Sequence, residues 1–237
     1  NAVRNGECEK ALVPIENSIE GVVARTLDEL AIGEPLVITA ETTLPVSFAL
    51  MTLPNTDAKQ IKSIATHPHA ESQCRSFIAK NYPNAQVIES SSTAAAAKGL
   101  SKGDYDAAIA GSNAAKNYGL KVIAENIGDN LGAVTRFVLV EKPGNHPKAT
   151  GKDRTSLAVF IALDHAGALL EILNEFAKHQ VNLTFIQSRP TGSQLGHYHF
   201  IIDAEGHIED KPISAALAGL KEICEDIRFL GSYPQAK

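Results

Sequence analysis

The chain has 237 residues, a formal net charge of −5, 44% apolar residues and 21% charged residues. That is the make-up of a soluble globular protein of one large or two ordinary domains, and the acidic balance argues against nucleic acid as a partner. No apolar run approaches the ~20 residues of a membrane span, and no charged-then-apolar signal segment opens the sequence.

Asn1 to Gly6 reads as the last turns of a helix closed by Gly6. No methionine precedes it, so the sequence is expected to begin inside a domain. From there to about residue 142, short apolar strands alternate with helices. Strands are expected at Ala11 to Ile15, Pro35 to Ala40, Val46 to Met51 and Ile61 to Ala65, then at Gln86 to Glu89, Ala107 to Ala110, Val122 to Ala124 and Val134 to Val140. Helices are expected at Ser18 to Ala31, Ala70 to Lys80 and Thr93 to Leu100. Such alternation implies an α/β domain with mainly parallel pairing. The alanine run Ala94 to Ala97 suits tight helix packing.

Glu141 to Asp153 holds two prolines and two glycines with no apolar periodicity, which marks a linker. The domains are therefore expected at 1–142 and 154–237, joined by 143–153. The second runs strand (Ser156 to Leu163), helix (Ala168, Leu169, Ile172, Leu173 and Phe176 on one face) and strand (Val181 to Ser188). After a turn at Gly192-Ser193 come a strand around Tyr198, Phe200 and Ile202, a helix with Ile213, Leu217, Leu220 and Cys224 on one face, and a last strand, Ile227 to Leu230. This βαββαβ order is the ferredoxin-like split.

Four stretches of the first domain carry candidate chemistry. In Pro14-Ile15-Glu16-Asn17-Ser18-Ile19-Glu20-Gly21, Asn17 or Ser18 would cap a helix. Thr66-His67-Pro68 opens a second helix, with Gln73 nearly two turns along. Ser92 or Thr93 caps a third. The strand holding Thr135-Arg136-Phe137 has a hydroxyl and a fixed charge at its mouth. Three helix N-termini and a Thr-Arg pair suit a small, multiply charged anion, which local Arg and His must hold against the acidic overall field. Each stretch has a plain structural reading too: an ordinary cap, a loop histidine, an edge-strand threonine. His67 and His69 lack further partners for a metal, and Cys8, Cys74 and Cys224 read as buried structural thiols of a reducing compartment without metal-ligand spacing.

Together these motifs resemble the prephenate dehydratase family with a C-terminal ACT regulatory domain. The matching residues are Pro14-Ile15-Glu16-Asn17-Ser18 with Gly21, His67-Pro68 with Gln73-Cys74, Ser92-Thr93-Ala94 and Thr135-Arg136-Phe137, followed by Gly167-Ala168-Leu169, Asn182-Leu183-Thr184 and Ser188-Arg189-Pro190. The resemblance covers the chain from near residue 1 to about 234. It implies a two-lobed catalytic domain like type II periplasmic binding proteins, with the site in the cleft between lobes, plus the ACT unit. The family's opening strand and Gly-Thr-Phe-like segment are not in the sequence, so an N-terminally truncated catalytic domain is expected.

The implied reaction is that of a carbon–oxygen lyase: prephenate to phenylpyruvate, with loss of carbon dioxide and water. Aromatisation drives it, so no cofactor and no metal are expected. By resemblance Thr135 donates to the leaving hydroxyl, a hydrogen bond of ~3 kcal/mol. Arg136 either pairs with a substrate carboxylate or braces the strand. Phe137 is a ring contact by resemblance, although core packing is the plainer reading. Glu16, Asn17, Ser18, Thr66, His67, Gln73, Ser92 and Thr93 are candidates for orienting the substrate, and Glu16 must be paired or point away from a dianion. L-Phenylalanine is expected as effector near Gly167, Ala168, Leu169, Asn182, Leu183, Thr184, Gln187 and Ser188. Gln187 stands where the family usually has Glu, which removes a charge there. A cytoplasmic homo-oligomer, dimer or tetramer through ACT domains, is implied. Arogenate dehydratase and a non-catalytic amino-acid sensor are the alternatives.

Overall fold

The computed structural model describes residues 1–144, 146–161, 165–191 and 198–236. A short helix, α1 (Ala2–Asn5), ends at Gly6, whose φ of 77° lies where a side chain would be strained. Strand β1 (Lys10–Asn17) follows, then a turn, the two-residue β2 (Gly21–Val22) and α2 (Ala24–Ala31). The helix expected from Ser18 therefore starts six residues later, because Ser18 bonds elsewhere. Next come β3 (Val37–Pro45), β4 (Ala49–Thr52) and β5 (Ser63–Thr66). The single helix expected at Ala70 to Lys80 is two, α3 (Pro68–Gln73) and α4 (Arg75–Asn81). Asp129 splits them: its N–H donates to the Gln73 carbonyl at 2.6 Å, and its carboxylate accepts from Ser76 N–H.

β6 (Gln86–Glu89), α5 (Thr93–Leu100) and β7 (Ala107–Ala110) fall where periodicity put them. A short α6 (Asn113–Tyr118), closed by left-handed Gly119, was not expected. β8 (Lys121–Ala124) and β9 (Val134–Glu141) complete this half of the chain. The ferredoxin-like part has β10 (Asp153–Ile161), α7 (Ala168–Lys178), β11 (Leu183–Pro190), β12 (Tyr198–Glu205), α8 (Lys211–Ile223) and β13 (Cys224–Pro234). The last two residues expected in its first strand and the turn at Gly192-Ser193 lie outside the described residues.

The strands form three sheets, ordered β2-β1-β9-β3, β6-β5-β7-β4-β8 and β11-β12-β10-β13. The expectation of mainly parallel pairing fails. β5 runs parallel to β6 and β7, while β1–β2, β1–β9, β4–β7, β4–β8 and the pairs of the third sheet are antiparallel. Alternating strands and helices suggested crossovers, but several connections here return the chain antiparallel.

Contacts divide the chain into two units. Unit 2 comprises Ser18–Glu20 and Pro45–Val134 and contains the five-stranded sheet. Its β7 is buried on both faces. Ala108 and Ala110 pack with Ala96, Ala97 and Leu100 of α5, and Ala107 and Ile109 pack with Cys74, Ile78 and Ile64. Small side chains there let α5 lie close, which accounts for the alanine run.

Unit 1 comprises Asn1–Asn17, Gly21–Leu44 and Thr135–Lys237 and holds the other two sheets. One face of the third sheet packs on α7 and α8 through Leu157, Val159, Ile172, Phe176 and Leu220. The other shares a core with the first sheet, through Ala158, Ile201, Leu230 and Tyr233 against Ile15, Leu27, Ile38, Val138 and Val140. The backbones come close at Gly231, where a Cβ would lie 2.2 Å from the Ile38 carbonyl oxygen.

Candidate active site and effector site

The chain leaves unit 1 at Asn17 and at Leu44 and returns to it at Gly21 and at Thr135; Asn17 and Thr135 are paired across β1 and β9. The Asn17 amide Nδ2 donates to Thr135 Oγ1 at 2.8 Å. A hydroxyl that accepts a bond keeps its own O–H for donation, and the incoming donor polarises that O–H. Asn17 thus serves as partner of Thr135, in a strand, and not as a helix cap.

Arg136 points to the opposite face of β9 and is buried, 8% exposed. Its Nε donates to Glu41 at 2.7 Å, Nη1 to Asp203 at 2.7 Å and Nη2 to Tyr233 at 3.0 Å. Burial alone would pull its pKa down, but Asp203, Tyr233 and Glu41 hold it above the ordinary value. Of the two readings for Arg136, the geometry gives the brace. Its nitrogens are already engaged inside unit 1. Glu16 Oε2 lies 3.8 Å from Arg136 Nη1, so this carboxylate is paired. Phe137 is half-buried on the same side of β9 as Thr135, since alternation places residues two apart together.

In unit 2 the cap role of Ser18 is likewise replaced. Its N–H donates to the Val134 carbonyl at 2.9 Å and its Oγ accepts from Val134 N–H at 3.0 Å. Thr66 is buried and donates to the Ile109 carbonyl at 2.9 Å, a link from β5 to β7. His67 caps α3, its Nδ1 accepting from His69 N–H at 3.3 Å. Gln73 Nε2 donates to Glu20 Oε1 at 2.9 Å, and His69 Nδ1 lies 3.9 Å from the same carboxylate. Glu20 and His69 thus join the group, and the quoted motifs held both without singling them out as substrate-orienting. Ser92 caps α5 by accepting from Ala95 N–H at 3.0 Å, and Thr93 begins that helix.

The cysteines are not uniformly buried. Cys8 is exposed, Cys224 intermediate and Cys74 buried, with burial and then Asp129 pushing its thiol up to about 12. His146, His207 and Glu209 bring ligand atoms within 4.8 Å of one another. The buried His207 ring is already engaged: Nε2 meets the Pro147 carbonyl at 2.9 Å and Nδ1 accepts from Glu209 N–H at 3.2 Å. That bonding ties the linker to the third sheet.

The effector candidates divide. Gly167 caps α7 in the left-handed conformation, at φ 100°, with no side-chain cap. Ala168 is buried, and Leu169 lies at the limit of exposure, at 36%. Asn182 and Thr184 are exposed, and Leu183 packs on the core beneath the helices. A register shift between Leu183 and Phe185 then turns β11 over, so that Phe185 joins the core shared with the first sheet. Gln187 and Arg189 follow on that side, where Arg189 makes a two-pronged pair with Asp28 of α2, at 2.8 Å and 2.8 Å. Gln187 folds onto its own strand, Nε2 to the Ser188 carbonyl at 3.0 Å, and Ser188 is exposed. Gln187 is therefore on the face of the third sheet opposite α7 and α8.

Fold and site together define an α/β enzyme that carries a ferredoxin-like regulatory domain. Residues 1–145 match the prephenate dehydratase family and residues 155–222 match the ACT domain. The chain belongs to the prephenate dehydratase family. A prephenate dehydratase of Amycolatopsis methanolica is 45% identical over 237 residues, which is 100% of this chain and 77% of that protein. The crystal structure of a prephenate dehydratase from Arthrobacter aurescens in complex with L-Phe matches with a TM-score of 0.92 at 50% identity, covering 99% of this chain and 78% of that one. GqqA, described as a novel type of quorum quenching acylase, matches with a TM-score of 0.85 at 30% identity, covering 98% and 84%. One fold thus serves more than one reaction, and the residues must carry the assignment.

Proposed function

We propose that this chain converts prephenate to phenylpyruvate as a lyase of L-phenylalanine biosynthesis, with Thr135 as the donor to the leaving hydroxyl. The observation that supports this reading is the Asn17–Thr135 hydrogen bond, whose acceptor is the threonine of the Thr-Arg-Phe motif. In this reaction the bond from the ring to its carboxylate breaks. The carboxylate leaves as carbon dioxide, and the electron pair closes the aromatic ring and expels the ring hydroxyl, which takes one proton from solvent and leaves as water. A threonine is too weak an acid to surrender that proton outright. Its O–H, polarised by the Asn17 amide, instead stabilises the charge that builds on the departing oxygen, which is worth about 3 kcal/mol.

Asn17 is a positioning residue in this scheme. His67, Gln73, Ser92 and Thr93 orient the substrate, with Ser18 and Thr66 fixing the backbone around them. The division into a catalytic domain at 1–142, a linker and an ACT domain at 154–237 follows the change in composition. L-Phenylalanine binds the ACT domain near Gly167, Ala168, Leu169, Asn182 and Leu183 and inhibits by feedback. A homo-oligomer through ACT domains and a cytoplasmic location accompany this role, and among the described residues no helix is long and apolar enough to cross a membrane.

The test offers the protein prephenate, arogenate and an N-acyl homoserine lactone in parallel. Phenylpyruvate should form from prephenate, with little turnover of the other two. Preferential use of arogenate or of the lactone overturns the substrate assignment. L-Phenylalanine binding by calorimetry without turnover of any of the three would favour the sensor reading.

A further inference from the structure

We infer that Asp203 and Tyr233 of the ACT sheet are positioning residues for the dehydration, acting on Thr135 through Arg136; this rests on the reading of Thr135 as donor. Arg136 adjoins Thr135 in β9 but reaches to the opposite face. Its partners come from three strands: Glu41 from β3, Asp203 from β12 and Tyr233 from β13. Those partners are held in turn. Ser156 Oγ donates to Asp203 Oδ1 at 2.5 Å and lies 2.7 Å from the Tyr233 hydroxyl. Arg154 Nη1 donates to Glu41 at 2.8 Å, and Ala236 N–H donates to the other Glu41 oxygen at 2.9 Å. Four of these groups, Arg154, Ser156, Asp203 and Tyr233, sit on the ACT sheet.

Two observations separate this cluster from simple glue. The two sheets already share an apolar core around Ile38, Val138, Ala158, Ile201 and Leu230. A buried ionic cluster adds little stability there that apolar side chains would not. The second observation is the ladder itself. The β1–β9 register shifts between Pro14 and Glu16, so that Pro14 faces Phe137 while Glu16 faces Arg136 and Asn17 faces Thr135. The bulge puts one extra residue, Ile15, into β1, after which the ladder resumes with its side chains re-aimed. Beyond this bulge the Arg136 clamp fixes where β9 runs, and with it the Thr135 hydroxyl against Asn17. A shift of β12 or β13 would reach Thr135 across one peptide bond.

The experiment uses the full chain carrying Tyr233→Phe, Ser156→Ala, Asp203→Asn or Thr135→Ala, and the Thr135→Ala double variants. The readouts are kcat, KM for prephenate and thermal unfolding. Tyr233→Phe and Asp203→Asn are expected to lower kcat about 2-fold to 30-fold, with KM changed less than about twofold. In the Thr135→Ala background Asp203→Asn should cause no further fall, since both act on one hydroxyl. Variants that melt earlier but keep full kcat per folded molecule would make the cluster merely structural. An equal kcat loss with and without the Thr135 hydroxyl overturns the route through it. Should Asp203→Asn fail to fold, Tyr233→Phe and Ser156→Ala carry the same comparison. Full turnover in Thr135→Ala alone would sink the donor reading itself, which is a separate result.

Discussion

The two faces of β9 are built on opposite principles. On one, Thr135 accepts a bond from Asn17, which leaves its own O–H able to donate. On the other, the next residue is buried and its three guanidinium nitrogens donate to Glu41, Asp203 and Tyr233. A group meant to act on a ligand must hold something in reserve, whereas a buried charge must be satisfied by its own protein. Neighbours in sequence with the same motif label thus have different tasks.

The contrast breaks first on the saturated face. Arg136→Met leaves Asp203 buried without its nearest cation and Glu41 with Arg154 alone, and removing one partner of such a cluster costs about 3–5 kcal/mol. Urea unfolding should show a loss of that order. A loss below about 1 kcal/mol would show that the cluster tolerates an unpaired carboxylate, and the brace reading would fall. On the open face Thr135→Ala should spare stability and strike the chemistry. Removing one donor of this kind typically costs about 10²–10³ in kcat, with the urea midpoint close to that of the parent. A variant that loses stability and keeps its turnover would exchange the roles of the two faces.

How far this was legible in the sequence differs between the same two residues. Thr135 was found because the motif names it, and its partner Asn17 was named too, but as a helix cap. The cap reading failed since Ser18 spends both of its backbone-directed groups on Val134, and helix propensity does not register such long-range bonds. The partners of Arg136 carried no local signal. Glu41 sits in a strand that periodicity ended at Ala40, and Asp203 interrupts an otherwise apolar strand, Phe200-Ile201-Ile202. The βαββαβ order was readable because each element buries one face with a clean period. Pairing direction in the first half was not, because strand order depends on contacts distant in sequence. The face of Gln187 was hidden by the register shift at β11, which alternation alone cannot foresee.

The seam between the two sheets of unit 1 offers a smaller test of the same contrast. Gly231 has φ 148°, and an added Cβ would meet the backbone of Ile38. Backbone cannot step aside as a flexible side chain can. Gly231→Ala should cost about 1–3 kcal/mol of stability, the usual range for overpacking, and calorimetric unfolding would measure it. An unchanged melting temperature would mean that the two sheets can shift locally at Gly231 at little cost.

The smallest expected effect concerns a buried group that is neither saturated nor held in reserve for a substrate. His199 of β12 is fully buried, stacks on Phe160 at 5.1 Å, and neither ring nitrogen has a hydrogen-bond partner among the described residues. Burial pushes its pKa below the ordinary 6.5; Asp28 pulls it back up and Arg189 lowers it further. The folded protein therefore keeps the ring neutral while the unfolded chain takes up a proton below about pH 6.5. The unfolded state then binds more protons, so this contribution to stability is complete above that pH and is lost as pH falls towards the lower folded value. His199→Phe removes the titration and keeps a flat ring on Phe160. Its stability at pH 8 should stay within about 1 kcal/mol of the parent, since no hydrogen bond is broken. Between pH 6.5 and 5 its unfolding midpoint should decline less steeply than the parent's. Equal slopes would mean that the ring exchanges its proton in the folded state as easily as in the unfolded one, and that the interior around β12 is open to water.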